Sequence, residues 1–510
     1  MKLELRARPL SASPLVSLAG DRAAPAEWYE PRPDATGWKR RVSDTAAEFG
    51  GGAWLRALNG ALDTTGRAAE RLRRAADSGG VVVTTGQQPG LFGGPLYTWY
   101  KALSALALAD ALEKRTGVAT APVFWAATDD SDFAEASETT VSVPGGAEVI
   151  SVQSQQVEGN PPMSSVPLGD VGAQLDVLTR ACGSAPNGAA LDAVRAAYSA
   201  GAMIGGAYVA LLRALLEPVG VAVLDASHPA VRAAGRPLLG KALAQGREIE
   251  DALKRRARAL KEAGHRAQVA HVAGRTLVFA NTDGSRHRVR AREAAALMRH
   301  DLSDLSPNVL LRPVMERAIL PTVAYVGGPA EIAYFAQVSA VADGLGARRP
   351  LIVPRWSGVI VEPHVRKLLD RIGADVEDFA DPHAIETRVA REQLPADVVR
   401  ALKKARTRVE SALVDLEKAD SSGEILPSAV VEGARQQLLH KLDRLERRYV
   451  AAAKRHGSEL LTEVATARGS LYPNGKPQER VLNAIPFMAK YGNDALDGIL
   501  AKAREHAASL

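Results

Sequence analysis

The order of apolar and polar positions divides the chain into two regimes. Up to about residue 390, short apolar runs alternate with longer stretches of helical spacing. Residues 53–76 place apolar side chains at helical intervals with arginines opposite, and Gly79-Gly80 ends that pattern. Val81-Val82-Val83-Thr84-Thr85 is β-branched and reads as a buried strand. The turn Gly86-Gln87-Gln88-Pro89-Gly90 leads into a predicted helix from Pro95 to Arg115, with proline in its first turn and Gly117 past its end. Ala121 to Ala127 is a second buried strand, which completes a βαβ unit with parallel strands and a right-handed crossover. Further apolar runs at Val219 to Asp225, Thr322 to Val326 and Leu351 to Val353 alternate with helical stretches at 186–216 and 239–263. This alternation predicts an α/β fold with an open, mostly parallel sheet. Residues 145–175 are rich in Gly, Pro, Ser and Gln and read as an insertion, and 266–290 as a small hairpin turning at Asn281-Thr282-Asp283-Gly284.

Near residue 391 the pattern changes. Leu402, Ala405, Val409, Ala412, Leu416 and Ala419 recur at helical spacing, as do Leu438, Leu442, Leu445, Tyr449 and Ala452 after an interruption at Ser421-Ser422-Gly423 and Pro427. This predicts an antiparallel coiled-coil hairpin. The expected organisation is a core over 1–390 with insertions near 142–218 and 264–300, an arm over 391–457, and a C-terminal segment over 458–510 packing back on the core.

Composition narrows the function classes. The 510 residues carry a formal charge of +6, and one cysteine, Cys182, excludes an internal disulfide and any zinc site needing two thiolates from one chain. Residues 391–455 hold 14 Lys and Arg against 10 Asp and Glu, interleaved as on a solvated or dimerising helix. The core is therefore close to neutral, and no polyanionic partner of the core is implied. No stretch is apolar enough for a membrane span, the best candidate at 201–224 carrying Arg213, Glu217 and Pro218, and the first residues lack a signal-peptide apolar run. A cytoplasmic protein without membrane or nucleic-acid partners is expected.

Three clusters carry candidate chemistry. Gly86, Gln87, Gln88 and Gly90, followed by Gly93 and Gly94, lie between a strand and a helix N-terminus, where an open sheet binds ligands and helix N–H groups attract anions; the alternative is a structural turn. Neither a P-loop nor a GxGxxG motif is present. Asp129, Asp130, Ser131, Asp132 and Glu135 follow the second strand. They read equally as ligand contacts for an ammonium group, sugar hydroxyls or a hard ion such as Mg²⁺, and as helix caps at Ser131 or Asp132. No metal-ligand set is assigned. Asn308 and Arg312, then Tyr325, Gly327, Gly328, Glu331 and Tyr334, form the densest block. Arg312 needs an anionic partner if buried, and Glu331 either supplies it or lines a ligand pocket. His228, His364 and Cys182 have no sequence-near partner and read as structural.

The runs TTGQQPGLFGGPLYTWYKALSAL, VFWAATDDSDFAE, SPNVLLRPVMERAILPTVAYVGGPAEIAYFAQ, IVPRWS and QERVLNAIPFMAKYG together resemble the bacillithiol biosynthesis cysteine-adding enzymes, a family of cysteine ligases, in order from about Val81 to Tyr491. The resemblance implies a Rossmann-like core related to class I synthetase-like nucleotidyltransferases, a coiled-coil arm and homodimerisation through it. It implies ligation of L-cysteine to glucosaminyl-malate, with ATP and Mg²⁺ activating the carboxylate. On this resemblance Gly86, Gly90, Gly93 and Gly94 are phosphate-binding, and Gln87, Gln88, Tyr97, Asn308, Tyr325, Gly327, Gly328, Glu331 and Tyr334 bind substrate. Asp129, Asp130, Asp132 and Arg312 are catalytic, the acids serving an ammonium or amine and Arg312 a carboxylate. The chain departs from the family pattern at Ser131, where members usually have His, at Ala330 and Phe335, where they have Gly and Trp, and at Glu316, where they have Gln. No clear KMSKS-type loop is present, Lys476 being a weak substitute. Two other readings stay open: a non-catalytic tRNA- or nucleic-acid-binding module on a synthetase-like core, and an unrelated ATP-dependent amide ligase.

Overall fold

The computed structural model describes residues 3–10, 14–20, 25–153, 159–282, 284–299, 304–381, 383–419, 426–456 and 459–510. The interruption at Ser421-Ser422-Gly423 and the turn residue Asp283 lie outside the described residues.

Five strands form one parallel sheet: β1 (Val81–Gln87), β2 (Thr120–Ala126), β3 (Ala222–Asp225), β4 (Thr322–Gly327) and β5 (Ile352–Pro354). Their spatial order is β5-β4-β1-β2-β3. The chain winds outward from β1 to β3, then returns to lay β4 against the other side of β1. A crevice opens where this direction reverses, at the C-terminal ends of β1 and β4, and such crevices are where Rossmann-like sheets bind ligands. Val81, Val82 and Val83 are completely buried, as expected of a central parallel strand covered on both faces. The helix Leu96–Thr116 behind β1 is buried almost all round, so its apolar residues show no polar face.

Local sequence explains where the elements break. The helical stretch 186–216 is two helices, Ala189–Ala197 and Ile204–Leu216, separated around Gly201 at φ 83°. The charged stretch at 239–263 spans the end of one helix, Pro229–Ala244, and a second, Gly246–Glu262. The hairpin pairs Arg275–Thr282 with Ser285–Arg290, and Leu305–Pro307 adds a third antiparallel strand. Glu4–Ala7, for which the sequence pattern predicts no strand, pairs antiparallel with Gly358–Val361. Four residues are too few to display an alternation.

The chain divides into two compact units. The larger holds Met1–Val141, Val149–Val361 and Gln478–Leu510; the smaller holds Ser142–Glu148 and Glu362–Pro477. In the smaller unit, helices Ala396–Ala419 and Ser428–His456 run antiparallel, tied by Arg406 to Asp443 and by Arg435 to Glu417 at 2.8 Å. The composition change at 391 falls within the helix Ala384–Glu392, which belongs to this unit. Among the described residues no helix is long and apolar enough to cross a membrane.

Candidate active site

The crevice at the ends of β1 and β4 is a cavity of about 530 Å³. Four strand ends feed it. β1 supplies Gly86, Gln87 and Gln88, β2 leads to Asp129 and Asp130, β4 leads to Gly328 and Glu331, and β5 leads to Arg355. Arg312, Asn308 and Tyr334 complete one wall, and Phe279, Arg286 and Arg288 of the hairpin another.

Glu331 organises the β4 side. Its carboxylate accepts from the Gly328 amide at 2.8 Å and the Tyr325 hydroxyl at 2.6 Å, and pairs with Lys101 at 2.7 Å, while Arg312 stands at 3.9 Å. Burial opposes its ionisation, but Lys101 and Arg312 outweigh burial and hold the carboxyl below the usual carboxylate range. Lys101 also donates to the Gly86 carbonyl and to Gln87 Oε1 at 3.1 Å, and burial lowers its pKa despite Glu331. Glu331 is therefore primarily the counter-ion of Lys101. Besides Glu331 at 3.9 Å, Arg312 has among the described residues only long contacts to the Tyr325 and Tyr334 hydroxyls, at 3.4 and 3.3 Å, and its buried Nε finds no hydrogen-bond partner among them. An arginine so placed is suited to meet an anion entering the cavity. Behind it, burial pushes the Glu316 carboxyl up to about 7, with Arg312 and Lys101 opposing.

The acidic side sorts itself by backbone contacts. Asp132 is the N-cap of the helix Phe133–Ser137, accepting from the Glu135 amide at 3.1 Å, and it does not line the cavity. Asp129 and Asp130 do line it. Burial raises the Asp129 carboxyl, and Arg286 is the largest opposing influence. Glu135 reaches the cavity through a cluster in which Gln87 Nε2 donates to it at 3.0 Å and the Tyr97 hydroxyl at 3.2 Å. Gln88 lines the cavity, and Ser131 does not.

The glycine turn is placed differently from the sequence expectation. Gly90, Gly93 and Gly94 do not line the cavity. A Cβ at Gly90 would stand 2.7 Å from Gly94 Cα, and Gly93, at φ 88°, packs against Trp99 and Leu211. The C-terminal segment closes this turn: Leu96 N–H donates to the Leu482 carbonyl at 2.9 Å, and Asn483 Nδ2 reaches the Phe92 carbonyl at 3.0 Å. These glycines serve a tight fold, and the protein's own carbonyl takes a helix N–H that a phosphate would need. Tyr325 and Gly327 are likewise set back from the cavity, Tyr325 holding Glu331 and Gly327 lying against Ile352. Asn308 lines the cavity while its Oδ1 accepts from the Leu310 and Leu311 amides.

Sequence reasoning missed Lys101, Arg286, Arg288, Arg355 and Arg480. Lys101 carried one signal, a lone lysine in the apolar run of its helix. Arg355 is fixed by a buried pair with Glu479 at 2.6 Å, and this anchors the segment that brings Arg480 to the cavity.

Residues 25–356 match the family described as bacillithiol biosynthesis BshC, N-terminal Rossmann-like domain, and residues 358–509 match bacillithiol biosynthesis BshC, C-terminal coiled-coil domain. A protein of Solibacter usitatus named "Putative cysteine ligase BshC" is 34% identical over 456 residues, covering 86% of this chain and 85% of the relative. Proteins of the same name from Koribacter versatilis and Salinibacter ruber are each 32% identical, covering 84% and 85% of this chain and 82% of each relative.

Proposed function

Because the chain belongs to the bacillithiol biosynthesis BshC family, matched in both domains, we propose that it is a cysteine ligase joining L-cysteine to the amine of glucosaminyl-malate. The observation that carries this reading is the juxtaposition, in one cavity, of an acidic wall formed by the buried Asp129 and the part-exposed Asp130 with an under-bonded Arg312. Amide formation needs both. The sugar amine arrives as an ammonium and has to be held and deprotonated, and the carboxylate partner has to be oriented. Asp130 and Asp129 hold the ammonium and take its proton; burial raises the proton affinity of the Asp129 carboxylate, which strengthens it as an acceptor of that proton. Arg312 binds the cysteine carboxylate, with Tyr334 beside it and the Lys101–Glu331 pair fixing the floor. The amine nitrogen attacks the activated carbonyl carbon, a C–N bond forms, and the activated oxygen leaves with its bonding electrons.

ATP with Mg²⁺, when bound, supplies the activation of the carboxylate. The residues that fit its charge are Arg312 and Arg480 on the cavity wall rather than the Gly90–Gly94 turn, so no step is routed through that turn. Homodimerisation through the helical pair belongs to the same reading, supported by its exposed Leu416, Val430, Leu438, Leu445 and Tyr449.

The test is direct. Purified protein is incubated with L-cysteine and glucosaminyl-malate, with and without ATP and Mg²⁺, and products are read by mass spectrometry. Bacillithiol is expected in the complete mixture. Its absence from every mixture containing folded protein overturns the reading.

A further inference from the structure

The hairpin wall carries charge that the ligation chemistry leaves unused. Phe279, Asn281, Arg286 and Arg288 share one face of the antiparallel pair, since Phe279 stands opposite Arg288 and Asn281 opposite Arg286. Arg286 is only 9% exposed and is held rigidly. Its guanidinium lies over the Phe279 ring at 3.9 Å, its Nε donates to Ser306 Oγ at 3.1 Å, and its Nη2 donates to the Pro307 carbonyl at 3.1 Å. Arg288 is anchored through Nε to the Thr276 carbonyl. Both line the cavity, and among the described residues neither forms an ion pair with a carboxylate. Two guanidiniums oriented by neutral acceptors, on a stiff ribbon, keep their charge available to a ligand.

We propose that this hairpin reads the dicarboxylate end of the acceptor, with Arg286 and Arg288 binding the malate carboxylates. The inference rests on the ligase reading above and adds to it the element that selects the acceptor. Position favours this assignment. In a 2-amino-2-deoxyglycoside the amine and the aglycone sit on adjacent ring carbons, so the groups that bind them have to be neighbours. Arg286 and Arg288 line the same cavity as Asp129 and Asp130, and Arg286 is the largest charged influence on Asp129, so the arginine wall faces the cavity that the amine enters. An acceptor with its ammonium at Asp129 and Asp130 therefore directs its malate toward the hairpin. Val269 and Val309 line the same cavity with apolar groups, so no carboxylate on those positions competes with the ligand.

The experiment separates acceptor from nucleotide. Calorimetry measures binding of glucosaminyl-malate, methyl 2-amino-2-deoxyglucoside and ATP–Mg²⁺ to full-length wild type, Arg288→Met and Arg286→Lys, with thermal midpoints confirming the fold. Wild type is expected to prefer glucosaminyl-malate to the methyl glycoside. Each variant is expected to lose about tenfold or more in affinity for glucosaminyl-malate, the scale of a charge-assisted contact, with methyl glycoside binding unchanged. Equal losses for both acceptors, no loss for glucosaminyl-malate, or a loss confined to ATP–Mg²⁺ overturns the assignment. A wild type that binds both acceptors alike overturns the hairpin's role and leaves the ligase reading standing. A wild type that binds neither overturns both.

Discussion

Replacing Glu331 with Gln isolates the energetics of the cavity floor. The side chain keeps its shape and loses its charge, leaving Lys101 and Arg312 as two buried cations without the carboxylate they share. Two routes bound the cost. If Lys101 stays charged, breaking a buried pair costs about 3–5 kcal/mol. If it gives up its proton instead, holding a lysine neutral at pH 7 costs about 4–5 kcal/mol relative to its unfolded pKa near 10.4. The two ceilings coincide. The surviving bonds of Lys101 to the Gly86 carbonyl and Gln87 Oε1 soften either outcome, so the expected loss is about 3 kcal/mol at pH 7.

The assay is urea unfolding followed by tryptophan fluorescence. All six tryptophans, Trp28, Trp38, Trp54, Trp99, Trp125 and Trp356, lie in the larger unit, so the signal reports the unit that contains the cavity. The sign with pH follows from the lysine. Once Lys101 is neutral in the folded variant, the unfolded chain binds more protons and stability rises with pH. Going from pH 7 to 9 should return about 2–3 kcal/mol to the variant, and less to wild type, whose Lys101 keeps its counter-charge. The double variant Lys101→Met/Glu331→Gln removes both charges and should recover more than half of the loss. A single-variant loss below about 1 kcal/mol, or a double variant no more stable than the single, refutes this account of the floor.

Three other outcomes follow from the same geometry. Glu316→Gln should flatten part of the pH profile of stability. With its folded pKa raised to about 7, the folded state holds the extra proton between roughly pH 4.3 and 7, so wild-type stability falls as pH rises through that window and the variant gains about 3 kcal/mol above it; urea unfolding at pH 5 and 8 that shows no difference would count against it. Asp130→Ala and Arg312→Ala should abolish bacillithiol formation in the mass-spectrometric assay, whereas Asp132→Ala should keep activity and lose about 1 kcal/mol of stability as a lost helix cap; the opposite ranking of activities would dissolve the site. Cys182 is completely buried and burial pushes its thiol up to about 11, so native protein should resist iodoacetamide at pH 8 and Cys182→Ser should retain activity, as labelling by intact-mass measurement and the ligation assay would show.

What the sequence displayed and what it hid divide along the distance over which each feature is determined. The βαβ unit was legible because Val81 to Thr85, the helix after Pro95 and Ala121 to Ala127 are each specified by neighbouring residues, and short connections leave few topologies. Asp129, Asp130, Arg312 and Glu331 were legible as candidates because strand ends in such a sheet face one crevice. The glycines show the limit. A run of glycine next to a helix N-terminus is equally what a phosphate needs and what a tight turn needs, and the deciding contacts come from Leu482 and Asn483, far downstream. The acidic cluster has the same ambiguity at shorter range. Asp132 and Asp130 differ by two positions and each accepts from a backbone amide, yet Asp132 caps a helix through Glu135 while Asp130 accepts from Asp132 and still opens on the cavity. Lys101, Arg286 and Arg288 were hidden for a third reason. A charged side chain gains meaning from the group it faces, and each of these faces groups from another part of the chain: Lys101 the Glu331 in the helix after β4, Arg286 the Ser306 and Pro307 of the third hairpin strand. Charges whose partners are remote in sequence are the ones a single sequence conceals. In this protein they form both the floor of the cavity and the wall that would distinguish one acceptor from another.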